Sequence, residues 1–314
     1  MPKSADIVLK KCLGLKNNEK LLIVTDSELY DIAKMFFDGA KQITNDVKFI
    51  NIPIPKVNGT EPSEDVAKEM LNYDAELLIT SKSLSHTKAR KNASDKGARI
   101  VTMPGITVGT IKRTIDMDYS KLEKLHKKIA DVMDKGEYVR IKTTLGTNIS
   151  FSINDRKSFG RNSGLFTRKG AFGNLPTGEI FIAPVEGTAN GTFIADASFA
   201  GIGKLEKPIK IYVENGSVVK IEGDKAEVLD GVLDSVGKEA RNIAEFGIGT
   251  NDKAKITGNI LEDEKVIGTC HIALGNNAGF GGKINVQLHL DGIIKKPTIW
   301  VDNKKIMENE KFLI

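Results

Sequence analysis

Ala244-Glu245-Phe246-Gly247-Ile248-Gly249-Thr250-Asn251 opens a stretch that continues through Gly268-Thr269-Cys270-His271-Ile272-Ala273-Leu274-Gly275 and closes at His289-Leu290-Asp291. Two of the chain's four histidines lie in this stretch. Side chains at positions i and i+2 of a β-strand point to the same face, so a strand over 289–291 would place an imidazole beside a carboxylate. His271 lies in a second apolar run and would point away from both of its neighbours. Two imidazoles and a carboxylate that project from apolar strands suit a divalent metal ion.

The same spacing also fits a plainer interpretation. Two histidines can be ordinary core or surface groups, and a His-x-Asp sequence occurs by chance. Imidazole and carboxylate groups suit metal ions but are not specific to them. The spacing alone therefore does not decide between a metal site and ordinary core or surface histidines. Other parts of the sequence are needed to distinguish these two interpretations.

Length and charge limit the classes of protein to consider. The chain has 314 residues, of which 40% are hydrophobic and 28% charged, as in an ordinary globular protein. A single core usually splits at this length, so two domains are expected. The net charge of +5 is spread along the chain without a basic block, so nucleic-acid binding is not indicated.

Cysteine usage and the N-terminal sequence indicate the compartment. The two cysteines, Cys12 and Cys270, form no Cys-x-x-Cys pair. This argues for a reducing environment and against a disulfide scaffold or a structural zinc finger. The N-terminus lacks the apolar region of a secretion signal, and no run reaches the ~18 apolar residues of a membrane span. We therefore expect a cytoplasmic protein that does not associate with membranes.

Residues 1–136 are predicted to form an α/β, Rossmann-like domain. Apolar strands near 21–25, 47–52, 75–80 and 98–102 alternate with helical segments near 28–42, 85–96 and 119–135. Near-continuous apolar strands separated by helices are typical of a parallel sheet flanked by helices. Ligands bind at the carboxyl ends of such strands, where Asp26 and Thr80-Ser81-Lys82-Ser83 lie.

Residues 137–314 are predicted to form a β-rich α+β domain that carries the metal site and the catalytic residues. Short strands dominate, and Glu214-Asn215-Gly216 marks a hairpin turn. One helical segment near 226–244 interrupts the strands. The predicted fold class is therefore α/β plus α+β, with the parallel sheet first.

The two remaining histidines lie outside the opening stretch. His86 belongs to the polar run Ser83-Leu84-Ser85-His86-Thr87, which fits a solvated helix N-terminus with Ser85 as its cap. The alternative is a substrate-facing loop in which His86 takes part in acid–base chemistry or binding. His126 lies among lysines on a predicted helix and is expected at the surface.

A third motif, Gly173-Asn174-Leu175-Pro176-Thr177-Gly178-Glu179, precedes the two motifs of the opening stretch in the chain. These three motifs in this chain order, followed by His289-Leu290-Asp291, resemble the aminopeptidase T family of metallopeptidases. The resemblance implies a homodimer that releases N-terminal residues from small peptides, with two divalent ions (zinc, cobalt or manganese) activating water. The ligands that it implies are Glu179, Glu245, His271, His289 and Asp291.

Glu179 carries a second expectation from the same resemblance. It is the candidate for carrying a proton to the leaving amine, with His86 as a further candidate catalytic residue. Without the resemblance, Glu179 would be interpreted as a carboxylate in a turn before a strand. The sequence also departs from the peptidase pattern, because none of its five tyrosines lies beyond Tyr212. A tyrosine expected soon after His271 is missing, and with it a candidate hydrogen bond to the transition state.

The sequence is also similar to 2,5-dihydroxypyridine dioxygenases, which act on a small-molecule substrate. That resemblance implies a single Fe(II) held by two histidines and one carboxylate, here His271, His289 and Asp291. Glu179 and His86 would then contact the substrate. The retained Glu245 argues against this alternative. A third alternative, a non-catalytic scaffold, would place Glu179 and Glu245 away from the histidines.

Overall fold

The chain divides into two units, which the computed structural model describes over residues 3–314. The first unit comprises the chain up to Tyr119 together with Gly164–Thr177. The second comprises Ser120–Ser163 and Gly178–Ile314. The order of a parallel α/β sheet followed by a β-rich part confirms the predicted fold class.

The first unit is built on a parallel sheet with the strand order β2-β1-β3-β4-β7. Its strands are β1 (Leu21–Asp26), β2 (Val47–Ile52), β3 (Ala75–Ile79), β4 (Arg99–Thr102) and β7 (Phe172–Asn174). Its helices are α1 (Lys3–Asp6), α2 (Tyr30–Ala40), α3 (Glu64–Met70), α4 (Lys88–Lys96) and α5 (Val108–Thr114), with a π-helical turn at Ile7–Cys12. Every residue of β1, β3 and β4 is buried, as expected for parallel strands covered on both faces.

The start of helix α4 corrects one expectation. Ser85 was expected to cap this helix, but the helix begins later and Thr87 is the capping residue. The Thr87 side chain accepts a hydrogen bond from the backbone N–H of Arg90. The Ser85 hydroxyl instead lies 2.9 Å from the Thr102 hydroxyl, at the carboxyl end of β4.

The end of the first unit also differs from the expected boundary at residue 136. The unit ends at Tyr119, in the first turn of helix α6 (Tyr119–Met133), and the chain returns to it at 164–177. The returning segment supplies β7, which pairs in parallel with β4 from Ile100↔Phe172 to Thr102↔Asn174. The pairing is reinforced by a 2.5 Å hydrogen bond from the Thr102 hydroxyl to Asn174 Oδ1. Strand β7 has only three residues, and two of them are glycine and asparagine. It is too short to show the alternation of apolar and polar residues by which a strand is predicted from sequence.

The second unit contains two antiparallel sheets within the described residues. The larger has the order β13-β12-β9-β6-β5-β17-β18-β19, and the smaller β11-β10-β16-β15-β14-β8. The larger sheet consists of β5 (Tyr138–Lys142), β6 (Asn148–Ser152), β9 (Asn190–Ala195), β12 (Ile209–Glu214), β13 (Ser217–Gly223), β17 (Thr298–Val301), β18 (Lys304–Glu308) and β19 (Lys311–Phe312). The smaller consists of β8 (Glu179–Ile182), β10 (Ser198–Phe199), β11 (Gly203–Lys204), β14 (Ile243–Gly249), β15 (Cys270–Gly275) and β16 (His289–Ile294). The helices of this unit are α6, α7 (Ala226–Val236) and α8 (Ile260–Asp263), with 3-10 turns at Lys238–Arg241 and Ala278–Phe280.

A single hydrophobic cluster joins the two sheets. Phe246 of β14 and Phe151 of β6 meet in it with ring centroids 5.5 Å apart, and both are fully buried. Cys270 and Ile272 of β15 lie in the same cluster. Because side chains alternate along a strand, the residues between them point to the opposite face of the smaller sheet. His271 therefore points away from Cys270 and Ile272, as the sequence predicts.

His126 is fully buried, which corrects its expected surface position. Its Nδ1–H donates to the backbone carbonyl of Gly160 at 2.9 Å, so Nε2 accepts from the Thr250 hydroxyl at 2.6 Å. Burial lowers the pKa of His126 to about 4, although the bond to the Gly160 carbonyl opposes this shift. The helix pattern was dominated by neighbouring lysines and gave no sign of these two partners.

No helix in the part of the chain that the structure describes has both the length and the apolar character needed to cross a membrane.

Replacing Phe246 by alanine is expected to destabilise the second unit by about 3–5 kcal/mol, because it leaves a cavity between the two sheets. The free energy of unfolding, measured with urea, checks this. Val219→Ala is the control, since Val219 is 51% exposed and its truncation should have little effect. An equal loss in both variants would contradict the assignment of this core.

The buried, neutral state of His126 makes stability depend on pH. The pKa of His126 is about 4 in the fold and about 6.5 when unfolded, so the unfolded chain binds the extra proton between these values. The stabilisation is present above pH 6.5 and is lost as the pH falls to 4, by up to about 3 kcal/mol. The stability difference between wild type and His126→Gln, measured at pH 7.5 and 4.5, should shrink by that amount. A difference that is constant with pH would refute this account.

Candidate metal centre

Strands β8, β14, β15 and β16 lie side by side and present their ligands on one face of the smaller sheet. Glu179 of β8 lies opposite Gly249, and His271 of β15 lies opposite Gly247 of β14. The core-facing residues of β14, Phe246 and Ile248, alternate with these positions. The face that does not pack on the core therefore carries the five predicted ligands, Glu179, Glu245, His271, His289 and Asp291.

Gly247 leaves the space in which the His271 ring lies. A Cβ atom at this position would be 2.0 Å from His271 Nε2 and 2.3 Å from its Cε1. Real Cβ atoms do not approach other atoms so closely, so any other residue would displace the imidazole. Gly247 is thus required by the position of the His271 ring, whereas a Cβ at Gly249 would meet the backbone of Val266.

Glu245 lies between the two histidines and contacts both. Its Oε1 is 3.2 Å from His271 Nε2, and its Oε2 is 3.4 Å from His289 Nε2. The ligand atoms form two groups, each within 4.8 Å, and Glu245 belongs to both. The first group is Glu179, Glu245 and His271, and the second is Glu245, His289 and Asp291. Either group could hold a metal ion, and the two share one carboxylate.

The remaining contacts complete each group. Glu179 Oε2 is 3.4 Å from His271 Nε2. Asp291 Oδ1 is 3.5 Å from His289 Nε2. All these ring contacts are made by Nε2, so in both histidines it is Nε2 that faces the carboxylates. Imidazole and carboxylate donors in these numbers fit zinc, cobalt, manganese or iron(II).

The loop over 276–288 orients His289. The Nδ1–H of His289 donates to the backbone carbonyl of Asn276 at 2.9 Å, which leaves Nε2 free to bind a metal. Glu186 fixes the loop by accepting from Asn277 Nδ2 at 2.9 Å and from the Lys283 backbone N–H at 2.7 Å. His271 lacks such a support, because its buried Nδ1 has no hydrogen-bond partner within residues 3–314.

Phenylalanine side chains lie beside His289, close to where the peptidase pattern has a tyrosine. The Phe280 ring is edge-on to the His289 ring, with centroids 5.8 Å apart. Phe280 also meets Phe181, which lies on the ligand-bearing face of β8 two residues after Glu179. A phenyl ring offers no hydroxyl, so the missing hydrogen-bond donor is not replaced at this position.

Mutual attraction between imidazoles and carboxylates sets the charge state of the cluster. Burial disfavours a charged His271, but the hydrogen bond to Glu245 and the charges of Glu179 and Asp291 outweigh it and raise its pKa to about 9. Burial likewise opposes an ionised Asp291, yet the neighbouring His289 lowers its pKa to about 2. The imidazoles therefore carry protons that a metal ion would displace, and binding would release them.

Two further charged residues belong to this cluster, and the sequence analysis did not single them out. Lys265 is 1% exposed, and its Nζ donates to Glu179 Oε1 at 3.0 Å and to Glu264 Oε1. Burial and the charge of Glu179 raise the pKa of Glu264 to about 8. Both lie in Leu261-Glu262-Asp263-Glu264-Lys265-Val266, whose four charged residues are all buried. A run of four charges between apolar residues was the available signal, although such runs usually lie in solvent.

His86 is placed differently from the five ligands. It lies in the first unit, two residues before helix α4, and belongs to neither group of possible metal ligands. Its backbone neighbour Ser85 accepts at its carbonyl from Arg90 Nε at 2.7 Å. A catalytic or substrate-binding role for His86 stays a prediction.

Comparison with known proteins identifies one family, and solved structures of similar fold include a dioxygenase and an aminopeptidase-family protein. The sequence profile of the family NicX, described as 2,5-dihydroxypyridine 5,6-dioxygenase, matches residues 2–313. Among solved structures, 2,5-dihydroxypyridine dioxygenase from Pseudomonas putida KT2440 is 15% identical with a TM-score of 0.87, over 99% of this chain and 97% of that one. AmpT from Thermus thermophilus is 16% identical with a TM-score of 0.74, over 99% and 98%. No curated protein sequence matches the chain at a significant level.

Gly247→Ala is expected to prevent metal binding by the first group, and so to lower the metal content, while the protein stays folded, because its Cβ would displace the His271 ring. Metal content by elemental analysis and circular dichroism check the two halves of this expectation. Gly231→Ala is the matched control, since its Cβ would meet no atom within 4 Å. Normal metal content in the Gly247 variant would show that His271 is not a ligand.

Proposed function

The chain belongs to the 2,5-dihydroxypyridine 5,6-dioxygenase family, and within the fold of that family we propose a metal-dependent hydrolase of the aminopeptidase type. The observation that carries this proposal is the position of Glu245, whose two oxygens face different histidines. A carboxylate in this position suits two neighbouring metal ions. The proposed substrate is a small peptide that loses its N-terminal residue.

The grouping of the ligands supports two ions more than one. A single iron held by two histidines and one carboxylate would draw His271, His289 and Asp291 into one set. Here His271 lies with Glu179 and Glu245, whereas His289 lies with Glu245 and Asp291. Each set supplies one imidazole and two carboxylates, and neither is complete without Glu245.

Each residue then has a defined part in the proposed reaction. When bound, two divalent ions would lower the pKa of a water molecule and polarise the peptide carbonyl. Glu245 holds the two sets at a fixed separation, and Asn276 keeps His289 Nε2 directed into the second set. Glu179 supplies Oε2 to the first set. The proton transfer to the leaving amine is proposed for Glu179 on the resemblance alone.

A single-iron dioxygenase is the second candidate, and the family match favours it. The solved dioxygenase also gives the higher TM-score of the two compared folds, 0.87 against 0.74. In that case His271, His289 and Asp291 would draw together around one Fe(II), and the substrate would be a small hydroxylated ring. The absence of a tyrosine beyond Tyr212 is consistent with this candidate.

Metal stoichiometry separates the two candidates. We expect close to two zinc, cobalt or manganese ions per chain after reconstitution, together with release of N-terminal residues from short peptides. His289→Ala should reduce the content to about one, because His289 belongs only to the second group. His86→Ala is the control and should keep both ions.

One iron per chain with oxygen uptake on a dihydroxypyridine, and no peptide cleavage, would replace the hydrolase by the dioxygenase. Absence of bound metal from the wild type after reloading would contradict both candidates.

A further inference from the structure

Lys265 is a buried cation inside a cluster that otherwise consists of carboxylates and imidazoles. Its side chain is 1% exposed, and both of its ion-pair partners are carboxylates, Glu179 and Glu264. A buried ammonium group is retained in a fold only where charges and hydrogen bonds compensate its desolvation. The position of Lys265 is therefore defined by the same carboxylate that faces His271.

The backbone holds Lys265 in place from two sides. Its N–H donates to the carbonyl of Glu262 at 3.1 Å, in the turn that follows helix α8. Its carbonyl accepts from the N–H of Asn251 at 2.8 Å, two residues beyond the end of β14. The segment that directly follows the strand carrying Glu245 thus anchors the residue that carries the ammonium group.

The two oxygens of Glu179 have different partners. Oε1 accepts from Lys265 Nζ at 3.0 Å, whereas Oε2 lies 3.4 Å from His271 Nε2. Only Oε2 is therefore directed into the first ligand group. The positive charge of the Lys265 ammonium group therefore lies next to the first ligand group. A divalent ion bound there would bring two further positive charges close to it.

The second ligand group has a different charge environment. Asp291 Oδ1 lies 3.5 Å from His289 Nε2. Glu245 and Asp291 supply two carboxylates with no ammonium group within ion-pair distance among the described residues, although the charge of Lys265 also reaches Asp291 at longer range. The two groups are alike in donor chemistry, but among the described residues the Lys265 ammonium group is in direct contact with a ligand of the first group only.

We propose that Lys265 is a positioning residue that makes the two metal positions unequal. Its ammonium group fixes Glu179 through Oε1 and weakens, by charge repulsion, the binding of an ion to Glu179, Glu245 and His271. The group formed by Glu245, His289 and Asp291 fills first, and the other fills second and more weakly. This inference rests on the proposed function only in requiring that the site binds metal ions.

Titration of metal-free protein with Co²⁺, followed by calorimetry and by the visible spectrum of the bound ion, tests the proposal. The wild type should bind two ions in two steps of different affinity. Lys265→Met and Lys265→Gln should each tighten the weaker step at least roughly tenfold, the size expected for a unit charge acting on a divalent ion across a few ångströms even at the dielectric constant of water. Lys265→Arg keeps the charge and should keep the two steps unequal.

Lys253→Met is the matched control, because it also removes one positive charge but from a side chain that is 51% exposed. It should leave both steps unchanged. The glutamine variant retains a hydrogen-bond donor for Glu179, so it separates loss of charge from loss of contact. Thermal unfolding of each metal-free variant identifies any that is misfolded.

Two steps of equal affinity in the wild type would overturn the proposal. So would a weaker step that is unchanged or weakened in a folded, neutral Lys265 variant. Failure of the wild type to bind any ion would instead contradict the proposed function and remove the basis of this inference.

Discussion

Strand β14 has an apolar environment on one face and a charged environment on the other. The packing of the second unit depends on both faces of this strand. On one face Phe246 and Ile248 pack into the cluster that joins the two sheets. On the other face Glu245 is followed by Gly247, which leaves space for the His271 ring instead of filling it. A carboxylate buried in this way is stable only with charged partners, and the neighbouring strands supply them as histidines. The alternation of a single strand thereby couples the core to the candidate metal centre.

The sequence predicted most of the fold, and it singled out five residues that the structure brings to one face of a sheet, for physical reasons that can be stated. Continuous apolar runs identified β1 and β3, because both faces of a parallel strand are buried. The period of two in a strand was enough to place His289 and Asp291 side by side. Glu179 and Glu245 were added by resemblance, and their convergence with His271 could not have been derived from spacing, since it depends on which strands are neighbours.

Other features were not predictable from local patterns. Strand β7 is three residues long and is defined by pairing with a strand about 70 residues earlier in the chain. His126 is buried because Gly160, Ser163 and Thr250 provide its hydrogen-bond partners, and none of them is near it in sequence. Lys265 and Glu264 have the composition of a solvated turn, and Lys265 is buried because it pairs with Glu264 and with the distant Glu179. In each case a long-range contact reversed the local preference.

The return of the chain at 164–177 has a consequence for how the protein is made. The parallel sheet of the first unit is complete only when β7 has been synthesised, after the chain has already entered the second unit. A nascent or truncated chain that ends near residue 136 would present β4 as an open sheet edge, with unpaired backbone groups available to another chain. The two units are therefore interleaved along the chain, and neither can be exchanged between proteins by a single crossover in the gene.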